Sequence, residues 1–267
     1  MSLPKPILLI GAGALGSSIL KGFRVSGHAT PDEVMILDLM PGDEAKAWAA
    51  DGARLNPLPE EWSAARTVIL AVKPQGWHAV AQILNGNIDP GAVYVSVMAG
   101  VTTAQLKTAF AGHAVARVMP TTGVATGKGV ASLFSDTEQG MAAARGLFAP
   151  MAQTVELNDE SQMNSATAVS GSGPAYVYAF VSALEKAGKA MGLSSSHARD
   201  LARGTLISAA RLLDQTGEEP EILLARVASP GGTTEAALKV LRREGAGLDE
   251  LILAAVEAAH ARSKELG

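Results

Sequence analysis

Two stretches of the chain carry residue types that could do chemistry. One is Ser229-Pro230-Gly231-Gly232-Thr233-Thr234, directly ahead of an apolar-periodic segment. Pro230 withdraws a backbone donor, and Gly231 and Gly232 permit backbone angles closed to other residues. A helix beginning at the two threonines would open with free N–H groups and two hydroxyls in one small volume. Such a start favours an anion, a carboxylate or phosphate, while a neighbouring hydroxyl can bond a second group on the same ligand. The same residues also make an ordinary capped helix behind a turn. The other stretch is Gly11-Ala12-Gly13-Ala14-Leu15-Gly16, which reads G-x-G-x-x-G. In that pattern the first glycine allows a tight turn, the second lets a pyrophosphate approach the backbone, and the third lets the helix pack on its strand.

The elements that must position these residues are legible around them. Ile7-Leu8-Leu9-Ile10 is a short apolar run of the kind buried on both faces of a parallel sheet, and Leu15, Ile19, Leu20 and Phe23 recur at helical spacing after the glycines. Val34 to Leu37 predicts the next strand, with Asp38 at its end about 20 residues beyond the glycine motif. A carboxylate there would bond the adenosine ribose hydroxyls and repel a 2′-phosphate. As a mere cap or turn residue before Pro41-Gly42 it would do neither. Strand, glycine loop, helix, strand and acid together predict a Rossmann-type dinucleotide-binding domain. Thr67 to Val72 is a third buried strand ending at Lys73-Pro74-Gln75. Open parallel sheets bind ligands at such ends, so Lys73 could reach a phosphate, a nicotinamide amide or a carboxylate, or be simply solvated. Val93 to Gly100 and Ala114 to Pro120 continue the pattern, and Val130 to Phe134 adds a strand before an alanine-rich helix.

Near Leu157 to Glu160 the strand runs stop and long Ala/Leu-periodic segments begin. The boundary predicted is 1–158 for the dinucleotide-binding domain and 159–267 for an all-helical one. Ser170-Gly171-Ser172-Gly173-Pro174 reads as a flexible turn. Helices follow from Ala175 to Met191, from a Ser194 cap to Gly217, from about Glu221, from Thr234 to Arg243 and from Leu248 to Leu266. The alanine content suits close helix packing, including packing between two subunits.

Composition narrows the chemistry. Hydrophobic residues at 48% and charged residues at 18% of 267 suit a packed globular protein, and a net charge of −4 provides no field to hold nucleic acid or an anionic membrane. The absence of cysteine removes disulfides, thiolate metal sites, iron–sulfur clusters and a cysteine nucleophile together, and the cytoplasm is the natural compartment. Gly11, Gly13 and Gly16 break the first apolar run too early for a secretory signal, and no stretch reaches the ~20 apolar residues a membrane span needs. His28, His78, His113, His197 and His260 are scattered, so no metal site is expected. No G-x-S-x-G is present to support serine hydrolysis. A nicotinamide cofactor would supply hydride, leaving the protein to orient a substrate, hold its carboxylate and assist one proton transfer.

Gly11 to Gly16, Ala71-Val72-Lys73-Pro74-Gln75, Val118-Met119-Pro120, Ser170-Gly171-Ser172-Gly173-Pro174-Ala175-Tyr176-Val177 and Ser229 to Thr234 resemble, in that order, the pyrroline-5-carboxylate reductases. The resemblance spans nearly the whole chain, and its last two motifs are specific. It implies an α/β Rossmann-type domain followed by an all-α dimerisation domain. The activity implied is an oxidoreductase step on a C=N group: hydride passes from NAD(P)H to 1-pyrroline-5-carboxylate and gives L-proline, the last step of proline biosynthesis. Thr234 matches the threonine that hydrogen-bonds the ring nitrogen and assists the proton transfer. Gly232 and Thr233 match backbone donors to the substrate carboxylate, with Ser229 in the same loop, and Glu160 matches an acid near the substrate. Gly11, Ala12, Gly13, Ala14, Leu15 and Gly16 match the coenzyme loop. Ala71, Val72, Lys73 and Pro74, with Val97, Met98 and Ala99, match the lining of the nicotinamide half. A homodimer through the helical domains is implied, and a larger ring of dimers such as a decamer.

Two departures stand out. The family usually reads Met-Pro-Asn-Thr-Pro where this chain has Met119-Pro120-Thr121-Thr122-Gly123, in a loop near the nicotinamide. Asp38 stands where many relatives carry neutral or basic residues that accept a 2′-phosphate, which predicts a preference for NADH. Two rival readings remain open at this level. A ketopantoate or β-hydroxyacid type of reductase would use a helical-domain lysine, Lys186 or Lys189 by position. A non-catalytic NAD(H)-binding sensor would need no substrate loop.

Overall fold

The computed structural model describes residues 3–265. Short runs of β-branched and aliphatic side chains form the central strands: β1 (Ile7–Ile10), β2 (Val34–Leu37), β4 (Thr67–Leu70), β5 (Val93–Ser96) and β6 (Ala114–Pro120). β3 (Arg54–Leu55), β7 (Gly129–Phe134) and β8 (Ala152–Glu156) complete a sheet in the order β3-β2-β1-β4-β5-β6-β7-β8. β1 lies parallel to β2 and β4, pairing Ile7 with Val34 and with Thr67, so the ends of these three strands fall side by side. β6 and β7 are antiparallel, because the short link 121–128 cannot make the crossover that a parallel pair requires. β8 then returns parallel to β7 after a helix.

Helices cover both faces, as strands apolar on both sides demand. α1 (Ala14–Ser26), α2 (Asp43–Ala50) and α5 (Glu138–Phe148) contribute Ile19, Phe23, Trp48, Leu147 and Phe148 to one core. α3 (Trp77–Leu84) and α4 (Thr103–Ala109) contribute Trp77, Leu84 and Leu106 to the other. Burying each such large apolar side chain is worth about 1.5–3 kcal/mol, so the sheet is anchored from both sides. β8 lacks an apolar run, since it is a largely exposed edge strand, and the sequence pattern does not mark it.

The chain divides into two compact units, one running to Gly171 and including the end of the chain from Ala259, the other Ser172–Ala258. The break falls later than the composition change at 158/159. α6 (Gln162–Ala166) and the segment behind it belong to the first unit, where they touch β6 and β7 and bury Met163 and Ala168. The predicted flexible turn at Ser170–Pro174 is corrected here. Thr167–Gly171 is a π-helical turn continuing α6, with the Thr167 and Ser170 hydroxyls donating to the Met163 and Ala166 carbonyls at 2.8 Å each.

The second unit is helical. α7 (Gly173–Ala190), with Pro174 in its first turn, packs on α8 (Ser195–Thr216). They approach closely: a side chain added at Gly188 would lie 3.2 Å from the Ala198 Cβ. α9 (Pro220–Val227) and α10 (Thr233–Leu241) follow, and α11 (Leu248–Glu265) begins in this unit. Its predicted end at Leu266 lies outside the described residues. Among the described residues no helix is long and apolar enough to cross a membrane.

Candidate active site

In the first unit the glycine motif turns between β1 and α1. Gly11 has φ +90°, and a side chain there would meet the Ala71 carbonyl oxygen at 2.7 Å. A Cβ on Gly16 would lie 2.1 Å from the Gly11 carbonyl oxygen, so helix and loop touch through bare backbone. Gly13 differs, since nothing lies within 4 Å of where its Cβ would be. That open space stands at the N-terminus of α1, whose first turn carries no acidic residue to compensate the helix's positive end. Absent side chain, open space and uncompensated amides fit a dinucleotide pyrophosphate. Ala12 is buried and Leu15 packs on the core, so those two offer backbone rather than side chain.

Asp38 extends from the end of β2. Its Oδ2 accepts the Ala12 N–H at 2.6 Å and its Oδ1 accepts the Met40 N–H at 2.7 Å. Each carboxylate oxygen keeps a lone pair for a further donor. The Asp38 N–H in turn donates to Asn56 Oδ1 at 2.9 Å. Asn56 has φ +50°, the one positive φ outside glycine among the described residues, and asparagine tolerates that region best after glycine. Sequence reasoning missed Asn56, since nothing in Leu55-Asn56-Pro57 marks a contact across strands. Leu39 and Met40 beside Asp38 are almost fully exposed.

The remaining cofactor candidates lie at the ends of β4 and β5. The Ala71 N–H donates to the Ile10 carbonyl at 2.8 Å, and the Val97 N–H to the Leu70 carbonyl at 3.0 Å. Val72 packs on the α3/α4 core, while Lys73 is exposed and leads into a 3-10 turn at Pro74–Gly76. Val97 and Met98 are buried in opposite cores, so they too would meet a ligand through their backbone, with the partly exposed Ala99 beside them. At the departure from the family motif, Thr121 extends the ladder of β6. Its N–H donates to the Val130 carbonyl at 2.8 Å and its hydroxyl accepts the Val130 N–H at 3.1 Å.

Glu160 lies in the turn ahead of α6. Its Oε1 accepts the Thr103 N–H and Arg117 Nη1, both at 2.7 Å, and its Oε2 accepts the Thr103 hydroxyl at 2.5 Å. The Arg117 side chain is only 6% exposed. Burial works to raise the Glu160 pKa, but the hydrogen bonds from Thr103 and Arg117 outweigh it and hold the carboxyl below its usual range. Both oxygens are thus engaged within the protein. Sequence reasoning missed Arg117 and Thr103, although a charge inside an apolar strand run is itself a signal.

In the second unit, Ser229 to Gly232 turn ahead of α10, with Gly231 at φ +73° and Gly232 as the N-cap. The Gly232 N–H donates to the Ser229 carbonyl at 2.9 Å, and the Gly231 N–H donates to Glu235 Oε2 at 2.7 Å. Gly232 was expected as a donor to a ligand; its amide is instead used to close the turn. Thr233 and Thr234 remain at the first two helical positions, where amides have no partner within the helix. The Thr234 side chain is half-buried and that of Thr233 exposed. On α7, Lys186 and Lys189 are exposed. Among the described residues no group of His, Cys, Asp or Glu could hold a metal ion.

Comparison with known proteins places these features. Residues 160–266 match the family model for pyrroline-5-carboxylate reductase dimerisation, and residues 6–100 match the model described as NADP oxidoreductase, coenzyme F420-dependent. The pyrroline-5-carboxylate reductase of Pseudomonas aeruginosa is 35% identical, with 100% of this chain and 98% of that protein covered. That of Synechocystis is 33% identical, with 97% of each covered. Among solved structures, a pyrroline-5-carboxylate reductase from Coxiella burnetii is 28% identical with a TM-score of 0.86, covering 98% of each chain. The Plasmodium falciparum pyrroline carboxylate reductase solved with NADP bound shares the fold at 23% identity, with a TM-score of 0.85 and full coverage of both chains. With named relatives above 30% identity from end to end, the chain belongs to the pyrroline-5-carboxylate reductase family.

Proposed function

We propose that this protein reduces 1-pyrroline-5-carboxylate to L-proline with a nicotinamide coenzyme. The observation that carries the reading is the end-to-end relationship to reductases of that name, which covers both the glycine cradle and the Ser229–Thr234 loop. The coenzyme supplies the hydride. Gly11 to Gly16 hold its pyrophosphate through backbone amides, and the ends of β4 and β5, at Ala71–Pro74 and Val97–Ala99, orient its nicotinamide half. The Thr233 and Thr234 amides hold the substrate carboxylate at the start of α10, with Ser229 and Gly232 shaping the turn. The Thr234 hydroxyl bonds the imine nitrogen and assists the proton transfer to it. The rival lysine-dependent and sensor readings lose ground, since the relatives are named as pyrroline-5-carboxylate reductases.

The coenzyme preferred is NADH. Asp38 would accept the ribose hydroxyls, and its carboxylate would repel a 2′-phosphate.

The working form is a homodimer built on the second unit. Within Ser172–Ala258 only Ala198, Ala202 and Gly247 are buried, while Tyr178, Phe180, Leu201, Ile207, Leu251 and Leu253 are 45–68% exposed. A helical unit with so little core of its own needs a second copy to cover it. Dimers assemble further into a ring, as the family resemblance implies, and a chain without cysteine suits the cytoplasm.

The test is nicotinamide absorbance against time with purified protein, 1-pyrroline-5-carboxylate and either NADH or NADPH. Oxidation with proline as product is the expected result, faster with NADH. Coenzyme binding without oxidation would overturn the reductase reading, and faster oxidation of NADPH would overturn the coenzyme assignment alone.

A further inference from the structure

The loop between β5 and α4 carries Val97, Met98 and Ala99, and both its ends are pinned. At the near end the Val97 N–H donates to the Leu70 carbonyl. At the far end Thr102 caps α4, its hydroxyl accepting the Gln105 N–H. The next residue, Thr103, gives both its N–H and its hydroxyl to Glu160. Arg117, which holds the same carboxylate, stands on β6 in register with Ser96, the last residue of β5. The loop is therefore closed by a clamp made of β6, the start of α4 and the turn before α6. Arg117 is buried, and its Nε has no hydrogen-bond partner, so Glu160 is the anion that compensates it. Neutralising Glu160 would leave a buried guanidinium unpaired, a state costly enough to force the surrounding backbone to move.

We propose that Glu160, through Thr103 and Arg117, is a positioning residue that fixes the β5–α4 loop against the nicotinamide half of the coenzyme, rather than a ligand of the substrate. This rests on the reading of Val97–Ala99 as part of the nicotinamide lining. The role is one the carboxylate can fill only when ionised, since its two oxygens accept three donors. Glutamine keeps the shape but offers one acceptor oxygen and brings an N–H toward donors already in place.

The experiment compares the unvaried protein with Glu160→Gln, Thr103→Val and Thr103→Ser, titrating each with NADH and with ADP-ribose, which lacks the nicotinamide. Glu160→Gln is expected to weaken NADH on the order of 5-fold or more while ADP-ribose stays within about 2-fold. Thr103→Val follows in the same direction, and Thr103→Ser, which keeps the hydroxyl, restores the affinity. Equal weakening of both ligands would mark the clamp as general scaffolding, and no change in either would show that the loop does not depend on it; both results overturn the proposal. In turnover, kcat is expected to fall with KM for the cyclic imine nearly constant, whereas a raised KM at constant kcat would put Glu160 on the substrate. If the unvaried protein oxidises no NADH with this imine, the reductase reading fails and the NADH against ADP-ribose comparison still decides the clamp. Should Glu160→Gln not fold, the Thr103 pair carries the same decision.

Discussion

The Asp38 carboxylate accepts the backbone N–H of Ala12 at 2.6 Å, tying the end of β2 to the glycine loop that follows β1. The Gly11 N–H adds a second tie, to the Leu37 carbonyl at 2.9 Å. Loop and acid are thus one rigid piece. A residue that selects the coenzyme also holds the loop receiving its pyrophosphate, so substitution at Asp38 should be felt in both halves of the adenosine site.

Asp38→Ser tests that coupling. A hydrogen bond to a charged group is worth about 1.5–3 kcal/mol, so losing one to the ribose should lower kcat/KM for NADH by roughly tenfold or more. The efficiency with NADPH should fall less or rise, because the repulsion of a 2′-phosphate goes too. The ratio of the two efficiencies is the measurement. An unchanged ratio would mean Asp38 serves only the loop.

Gly13 and Gly16 separate binding from folding. At Gly13 an added methyl meets no protein atom, so Gly13→Ala should leave the melting temperature within a few degrees and weaken NADH strongly, since the methyl fills the pyrophosphate's space. At Gly16 the methyl would lie 2.1 Å from the Gly11 carbonyl oxygen, so Gly16→Ala must displace backbone. It should cost about 2–3 kcal/mol or more by overpacking. Thermal melts with and without NADH read both effects, and similar behaviour of the two variants would refute the distinction.

Much of the first unit was legible because a strand buried on both faces leaves an apolar run ending at glycine or a polar turn, as at Ile7–Ile10 and Thr67–Leu70. Edge elements leave no such trace, and β3 and β8 were invisible for that reason. In the candidate site, types and order were readable but partners were not. The partners of Glu160 were hidden because Thr103 and Arg117 are distant in sequence, and the Gly232 amide looked available because its acceptor is a backbone carbonyl that no pattern announces. The turn at Ser170 was misread for a different cause: serine and glycine favour turns, yet hydroxyl bonds to the preceding helical turn carry this segment on as a π turn.

His28 gives the pH dependence of stability a separate upper limb. Burial of the ring is the main cause lowering its pKa from the ordinary 6.5, helped by Lys5, and Nε2 is buried with no hydrogen-bond partner. A folded pKa below the unfolded one means the unfolded chain binds the proton first. This contribution is therefore complete above about pH 6.5 and is lost as pH falls from there through the folded value. Glu33, Glu156 and Glu160 are also depressed, through Lys5, Arg145 and the Thr103–Arg117 pair, and their contribution is lost only below the usual carboxylate range. Melting temperature against pH should show two descending steps, and His28→Leu should remove the upper one. A single step below pH 5 in the unvaried protein would rule the histidine out.

Thr234 offers the sharpest test of the chemistry. It stands at the second position of α10, its side chain half-buried, behind a turn closed by Gly231 and Gly232 within the second unit. The bonds that close this turn come from the Gly231 and Gly232 amides, so Thr234→Ala, which removes the hydroxyl and the γ-methyl, should fold normally. If the hydroxyl bonds the imine nitrogen, its loss removes an interaction that strengthens as the nitrogen takes up its proton. The expected effect is about a hundredfold fall in kcat, at the low end of general acid–base assistance, with NADH affinity unchanged. Thr234→Ser keeps the hydroxyl and should recover most of the rate. Equal losses in kcat and in NADH affinity would make Thr234 a structural residue of α10, and the proton would then have to come from water held by the loop.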